Sequence, residues 1–242
     1  MNVDTLPRTL IVAAGVALFC SAMVSAAVHF LRPLQTAFES LERNRAVLAA
    51  GDLLPSDEVS DREVVATYLD LDARIVDLDT GWFAAGFDAH AYDHWQQREA
   101  DEAAIEDRRY VPVYLVRKAR GFEQIVLPVD GHGMWSDIYG YIALGPDLNT
   151  ITGVTFHRHG ETPGIGDRIQ DPSWLETWRG KRIRDADGAT RFRVTKDASG
   201  QFEVDIVSGA SVTTGATGDI IRDWLGDDGF GPFLENLAEN ER

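Results

Sequence analysis

The sequence predicts an α+β chain: one N-terminal transmembrane helix followed by a single soluble domain with an antiparallel sheet flanked by helices. Three observations carry this reading. The 22-residue run Leu10–Leu31 contains no Asp, Glu, Lys or Arg. Beyond residue 108, short β-rich segments recur with turn residues between them. Near the end, residues 213–226 switch from alternation to helical spacing. The expected organisation is an N-terminal tip and anchor over 1–32, a helical and irregular connecting region over 33–107, and the soluble domain over 108–242.

The first element is the apolar run. As a helix, 22 residues reach ~33 Å at ~1.5 Å per residue, enough for a hydrocarbon core of ~30 Å. Arg8 precedes it and Arg32-Pro33 is expected to stop it; His29 lies near the end, where reaching toward water costs little. A cleaved signal peptide is the rival, since Val24-Ser25-Ala26 offers small residues for processing. The run exceeds an ordinary signal core, which favours an uncleaved anchor. The flanking charges come close to a tie and give no clear orientation. Cys20, the lone cysteine, reads as a small lipid-facing residue and excludes an internal disulfide or a cysteine-held cluster.

Residues 34–50 carry Leu34, Phe38, Leu41 and Leu48 at helical spacing, with Glu39 and Arg43 as a favourable i,i+4 pair. Gly51 is the expected stop. A short helix is expected over Ser60–Leu69, where Ser60 and Glu63 have the spacing of a capping box. Residues 74–107 are acidic and give no clear pattern. Strands are expected over 111–119, 122–131, 138–145 and 151–160. Segments 191–197 and 201–208 read as a hairpin around Ala198-Ser199-Gly200. The helix over 213–226 ends at Gly226.

A net charge of −16 argues against nucleic acid, whose phosphates require Lys and Arg. His90 and His94, and His157 and His159, have spacings that could suit a metal, but neither pair has an evident third ligand, so no metal site is assigned.

Three clusters of residues carry chemistry. Asp205-Ile206-Val207-Ser208-Gly209-Ala210-Ser211 ends a strand and opens a helix. Small residues at such a junction expose backbone N–H groups beside the positive end of the helix, a natural phosphate site; simple helix capping by Ser and Thr is the alternative. His159-Gly160-Glu161-Thr162-Pro163-Gly164-Ile165-Gly166 makes a tight loop whose backbone can approach a ligand closely. In Gly131-His132-Gly133-Met134-Trp135-Ser136, Trp135 could stack on a flat ring or fill a core.

The Asp-x-x-Ser-Gly-Ala-Ser pattern resembles the flavinylation motif of the FMN-binding domain family. Around it, PVDGHGMWSDIYGYIAL (128–144), HGETPGIG (159–166), WLETWRGK (174–181), SGASVTT (208–214) and WLGDDGFGPFL (224–234) stand in an order similar to that of the NqrC subunits of the Na+-translocating NADH:quinone reductases. The resemblance spans nearly the whole chain apart from 52–107. It implies an electron-relay subunit of a complex that passes electrons from NADH to ubiquinone and exports Na+, in the bacterial inner membrane. The relay would be a single-pass protein with its soluble domain on the periplasmic side. It implies covalent FMN, attached as a phosphoester by a separate flavin transferase, with the other subunits of the complex as partners and no turnover by the chain alone.

By position, Ser211 takes the place of the phosphoester-bearing residue. Thr162, Ile165, Met134 and Trp135 match positions at the flavin, and Glu161, Ser208 and Gly209 match supporting or turn positions. The family usually has Thr where this chain has Ser211; Thr213 and Thr214 are the other candidate acceptors. Lys181 and Arg168 are candidate cations near the ring. No residue is expected to do bond chemistry of its own. The competing readings are the FMN-carrying subunit of the Rnf ferredoxin:NAD electron-transport complex and an anchored scaffold domain without flavin.

Overall fold

The structure, a computed structural model, describes residues 5–55, 59–95, 109–118 and 121–240. It divides into two units, residues up to Glu42 and residues from Arg43 onward. The described residues of the first unit lie within helix α1 (Thr5–Ala50), whose apolar side chains from Leu10 to Phe38 are exposed. The helix is long and apolar enough to cross a membrane. Pro33 does not stop it: α1 runs unbroken through that position. A proline removes one N–H from the ladder, and here the bonds on either side carry the helix past it.

In the second unit, the last turns of α1 bury Ala46, Val47, Leu48 and Ala50. The helix ends as the Gly51 N–H reaches the Val47 carbonyl at 3.2 Å and the Leu53 N–H the Leu48 carbonyl at 2.9 Å. The residue that turns left-handed is Asp52, with φ 53°, rather than Gly51. Helix α2 (Asp61–Leu69) has the expected capping box between Ser60 and Glu63.

Six strands form one antiparallel sheet in the order β2-β1-β3-β4-β5-β6. They are β1 (Asp72–Asp77), β2 (Trp82–Ala84), β3 (Tyr110–Lys118), β4 (Gly121–His132), β5 (Asp137–Leu144) and β6 (Ile151–His159). The last four follow the sequence expectation closely. Strands β1 and β2 arise from the stretch that gave no pattern, and they extend the sheet along β3.

Strand alternation sorts the side chains onto two faces. Val113, Leu115, Ile125, Leu127, Ile142 and Phe156 enter the main core with Trp178, Ile220, Ile221 and Trp224. Each such buried side chain contributes roughly 1.5–3 kcal/mol. Tyr114 and Tyr141 face the other way, where Tyr114 meets Tyr68 of α2 and the two hydroxyls lie 3.1 Å apart. Gly153 of β6 sits so close to the Ala50 carbonyl that no side chain would fit.

Strands β7 (Arg193–Thr195) and β8 (Glu203–Asp205) pair in parallel. This overturns the expected hairpin. Segment 196–202 turns back on itself instead of reversing the chain once, with Asp197 at φ 57° and Gly200 at φ 94°. The β8 carboxylates hold this turn: Asp205 accepts from the Ala198 N–H at 2.8 Å and Glu203 from the Ser199 N–H at 2.7 Å.

Helix α3 (Pro172–Glu176) is capped by Asp171, helix α4 spans Ser211–Trp224, and helix α5 spans Gly231–Asn240. The far end of α4 is pinned where Trp224 Nε1 donates to the Asp130 carbonyl at 2.6 Å. The Asp130 carboxylate accepts from Trp95 Nε1 at 2.9 Å, so one residue of β4 ties indoles from two separate segments.

Candidate functional site

A shallow cleft of about 140 Å3 opens where three segments meet. The tip between β4 and β5 supplies Met134 and Trp135, the loop after β6 supplies Glu161, Thr162, Ile165 and Gly166, and the start of α4 supplies Gly209–Thr213. The three motifs singled out in the sequence thus converge. Of the expected residues, Met134, Trp135, Glu161, Thr162, Ile165, Gly209 and Ser211 line the cleft; Ser208 does not.

Glu161 binds the three segments together. It is only 4% exposed. Its Oε1 accepts from the Trp135 N–H at 2.9 Å and the Ser136 N–H at 3.1 Å, with the Ser136 hydroxyl at 3.4 Å. Its Oε2 accepts from the Thr213 hydroxyl at 2.7 Å. The Ser136 hydroxyl also accepts from the Gly160 N–H at 2.6 Å. Burial pushes the carboxyl pKa up, but the bonds from Trp135, Thr213 and Ser136 outweigh it and hold the group below its ordinary value.

Two glycines make room for this carboxylate. A Cβ at Gly133 would stand 2.6 Å from Glu161 Oε1, and one at Gly166 would stand 2.8 Å from Glu161 Cβ.

At the start of α4 the capping alternative fails. The N-cap is Ala210, with no side-chain cap. The Thr214 N–H makes the first intrahelical bond, to the Ala210 carbonyl at 2.9 Å. The N–H groups of Ser211, Val212 and Thr213 therefore lack intrahelical acceptors and carry the positive end of the helix dipole. Gly209, at φ 87°, takes the left-handed turn that leads into this end.

The four hydroxyls of this stretch have different surroundings. Thr213 is 2% exposed and bonded to Glu161. Thr214 is fully buried; its Oγ1 donates to the Ala210 carbonyl at 2.9 Å and accepts from the Val207 N–H at 3.3 Å. Ser211 is exposed in the cleft, beside the helix end. Ser208 is exposed but outside the lining, and its carbonyl accepts from Arg168 Nη1 at 3.1 Å. Lys181 is not a lining residue; it donates to the Gly200 carbonyl at 2.8 Å.

Trp135 is 67% exposed, Ile165 49% and Met134 48%, so an apolar rim surrounds a polar floor. The arrangement suits a ligand with a flat apolar ring and an anionic tail. The structural roles of Thr213 and Ser136 are not evident in the sequence; the periodicity of a helix signals neither. His90 and His94 do not share a helix, since residues 90–93 form a turn and an irregular stretch.

Residues 133–226 match the FMN-binding domain family. Much longer matches cover almost the whole chain. It is 36% identical to the NqrC subunit of the Na+-translocating NADH-quinone reductase of Pseudomonas aeruginosa, with 99% of each chain covered. It is 37% identical to the corresponding subunit of Pasteurella multocida, with 98% of this chain and 96% of the relative covered. The crystal structure of Shewanella oneidensis NqrC superposes with a TM-score of 0.71 at 32% identity, covering 84% of this chain and 99% of that one. The chain belongs to the NqrC family, one of the subunit families of the Na+-translocating NADH-quinone reductases.

Proposed function

We propose that this chain carries FMN as a phosphoester on Ser211 and serves as an electron relay in a Na+-translocating NADH:ubiquinone reductase. The observation that carries the attachment site is the contrast among hydroxyls. Ser211 is exposed in the cleft at the helix end, whereas Thr213 and Thr214 are buried and hydrogen-bonded. Attachment joins Ser211 Oγ to the flavin-side phosphorus of FAD, breaks the pyrophosphate bond, releases AMP and sheds the hydroxyl proton. A flavin transferase would perform it.

The residues fit the group. The free N–H groups of Ser211, Val212 and Thr213 would face the phosphate. Met134, Trp135, Thr162 and Ile165 would flank the ring, with Glu161, Ser208 and Gly209 holding the walls in place. When bound, the flavin supplies the redox chemistry, while the protein sets its position and electronics. Helix α1 would cross the bacterial inner membrane once, with the domain on the periplasmic side. The other subunits of the reductase would deliver and remove electrons and move Na+.

The test is mass spectrometry of the full chain made with its flavin transferase. The peptide holding Ser211 should gain ~438 Da, the mass of FMN less water. Ser211→Ala should lose the gain. Mass on a peptide lacking Ser211 would move the site, and no added mass would leave an anchored domain without flavin.

A further inference from the structure

Glu161 combines three properties. It lines the cleft, it is only 4% exposed, and no Lys or Arg among the described residues pairs with its carboxylate: the partners are N–H and hydroxyl dipoles of Trp135, Ser136 and Thr213. Dipoles keep a buried carboxylate ionised without cancelling its charge. A charge in such a place acts on its neighbours through a lower effective dielectric than water provides.

Glycines at 133 and 166 preserve this arrangement, since a Cβ at either would strike the Glu161 side chain. A role limited to joining three segments could be met by a neutral group. The all-acceptor carboxylate instead takes four donors, the Trp135 and Ser136 N–H groups and the Ser136 and Thr213 hydroxyls, and places a negative charge beside the cleft.

We propose that Glu161 is a positioning residue whose fixed negative charge also holds the flavin at a low reduction potential. The inference rests on flavin occupying this cleft. Reduction adds electron density to the ring, and a nearby anion disfavours that addition. The same carboxylate fixes Trp135, the 161–166 loop and the first turn of α4 around the ring.

Two substitutions pull in opposite directions. Glu161→Gln keeps the size and can keep the contacts, because its oxygen accepts from Trp135 and Ser136 while its amide donates to a reoriented Thr213 hydroxyl. It removes the charge. Thr213→Val keeps the charge and removes one of the dipoles that compensate it.

The measurement is the flavin midpoint potential of the full-length, flavin-loaded chain, followed by visible absorbance during redox titration. Occupancy is checked by mass. Glu161→Gln should shift the potential upward and Thr213→Val should shift it downward. A purely structural role would disturb both variants in the same direction.

An unshifted or lowered potential in Glu161→Gln overturns the inference, as does an unshifted or raised one in Thr213→Val. If Glu161→Gln fails to load, the Thr213→Val shift decides alone. If that variant also fails to load, Glu161→Asp decides, and a potential above wild type with the charge retained sinks the idea. An unmodified wild-type chain would overturn the proposed function instead, so the two failures are distinguishable.

Discussion

The Thr213 hydroxyl donates to one oxygen of Glu161 at 2.7 Å, while the other oxygen takes the Trp135 and Ser136 N–H groups at 2.9 and 3.1 Å. One carboxylate therefore joins a hairpin tip to a helix start, its bond to Thr213 alone spanning 52 positions of sequence. Thr213→Val leaves Glu161 with fewer donors in a buried setting. The expected cost is ~1–3 kcal/mol, read as a lower urea midpoint with an unchanged slope. An unaltered midpoint would show that this bond contributes nothing to stability.

Ser211→Thr should accept flavin as well as the native residue. The position is exposed, so an added methyl meets solvent. The methyl restricts χ1, and the flavin circular dichroism in the visible should sharpen or intensify. Mass spectrometry of the variant checks occupancy; failure to load would show that the surroundings of residue 211 select against a branched side chain.

Gly133→Ala and Gly166→Ala should each disrupt the cleft. The added carbon would lie 2.6 Å from a Glu161 oxygen in the first and 2.8 Å from Glu161 Cβ in the second. Overpacking of this kind costs ~1–3 kcal/mol. Flavin occupancy should fall in both variants, while Gly215→Ala, where a Cβ meets nothing within 4 Å, should behave as wild type.

Acid should destabilise the fold in two stages. Burial, with the Arg158 and Arg43 guanidinium groups nearby, lowers the His157 pKa from 6.5 to about 3. The unfolded chain then binds a proton that the folded chain does not, so stability is lost as pH falls from 6.5 toward 3. The slope is at most ~1.4 kcal/mol per pH unit. Glu161, whose pKa is lowered, contributes stability above its unfolded value of 4.5 that is lost as pH falls through its folded one. Urea midpoints between about pH 7 and about pH 5 should fall for the native chain and fall less for His157→Phe. Equal slopes would remove His157 as the cause.

The four central strands and α2 were legible because alternation and a capping box are local signals. The three cleft motifs were legible as composition: glycines, a proline and small hydroxyl residues. Strands β1 and β2 were not, since Asp72–Asp77 is short and polar at its ends and Trp82–Ala84 spans only three residues, and the sheet supplies their order. The parallel pairing of β7 and β8 depends on side chains of Glu203 and Asp205 capping a turn before them, which no periodicity announces. The role of Glu161 required knowing that residues 135, 161 and 213 meet. Pro33 misled because local chemistry favours a break that the surrounding helix overrides.

Helix α4 is held at its start by Thr213 on Glu161 and at its end by Trp224 on Asp130, both ties made within the chain. Its first turn is thus shaped by residues far away in sequence. A modifying enzyme would meet a contoured surface rather than a linear string of residues. On the proposed attachment to Ser211, acceptor recognition would be conformational: the isolated segment 205–214 should be a poor substrate, and maturation should follow folding rather than accompany synthesis.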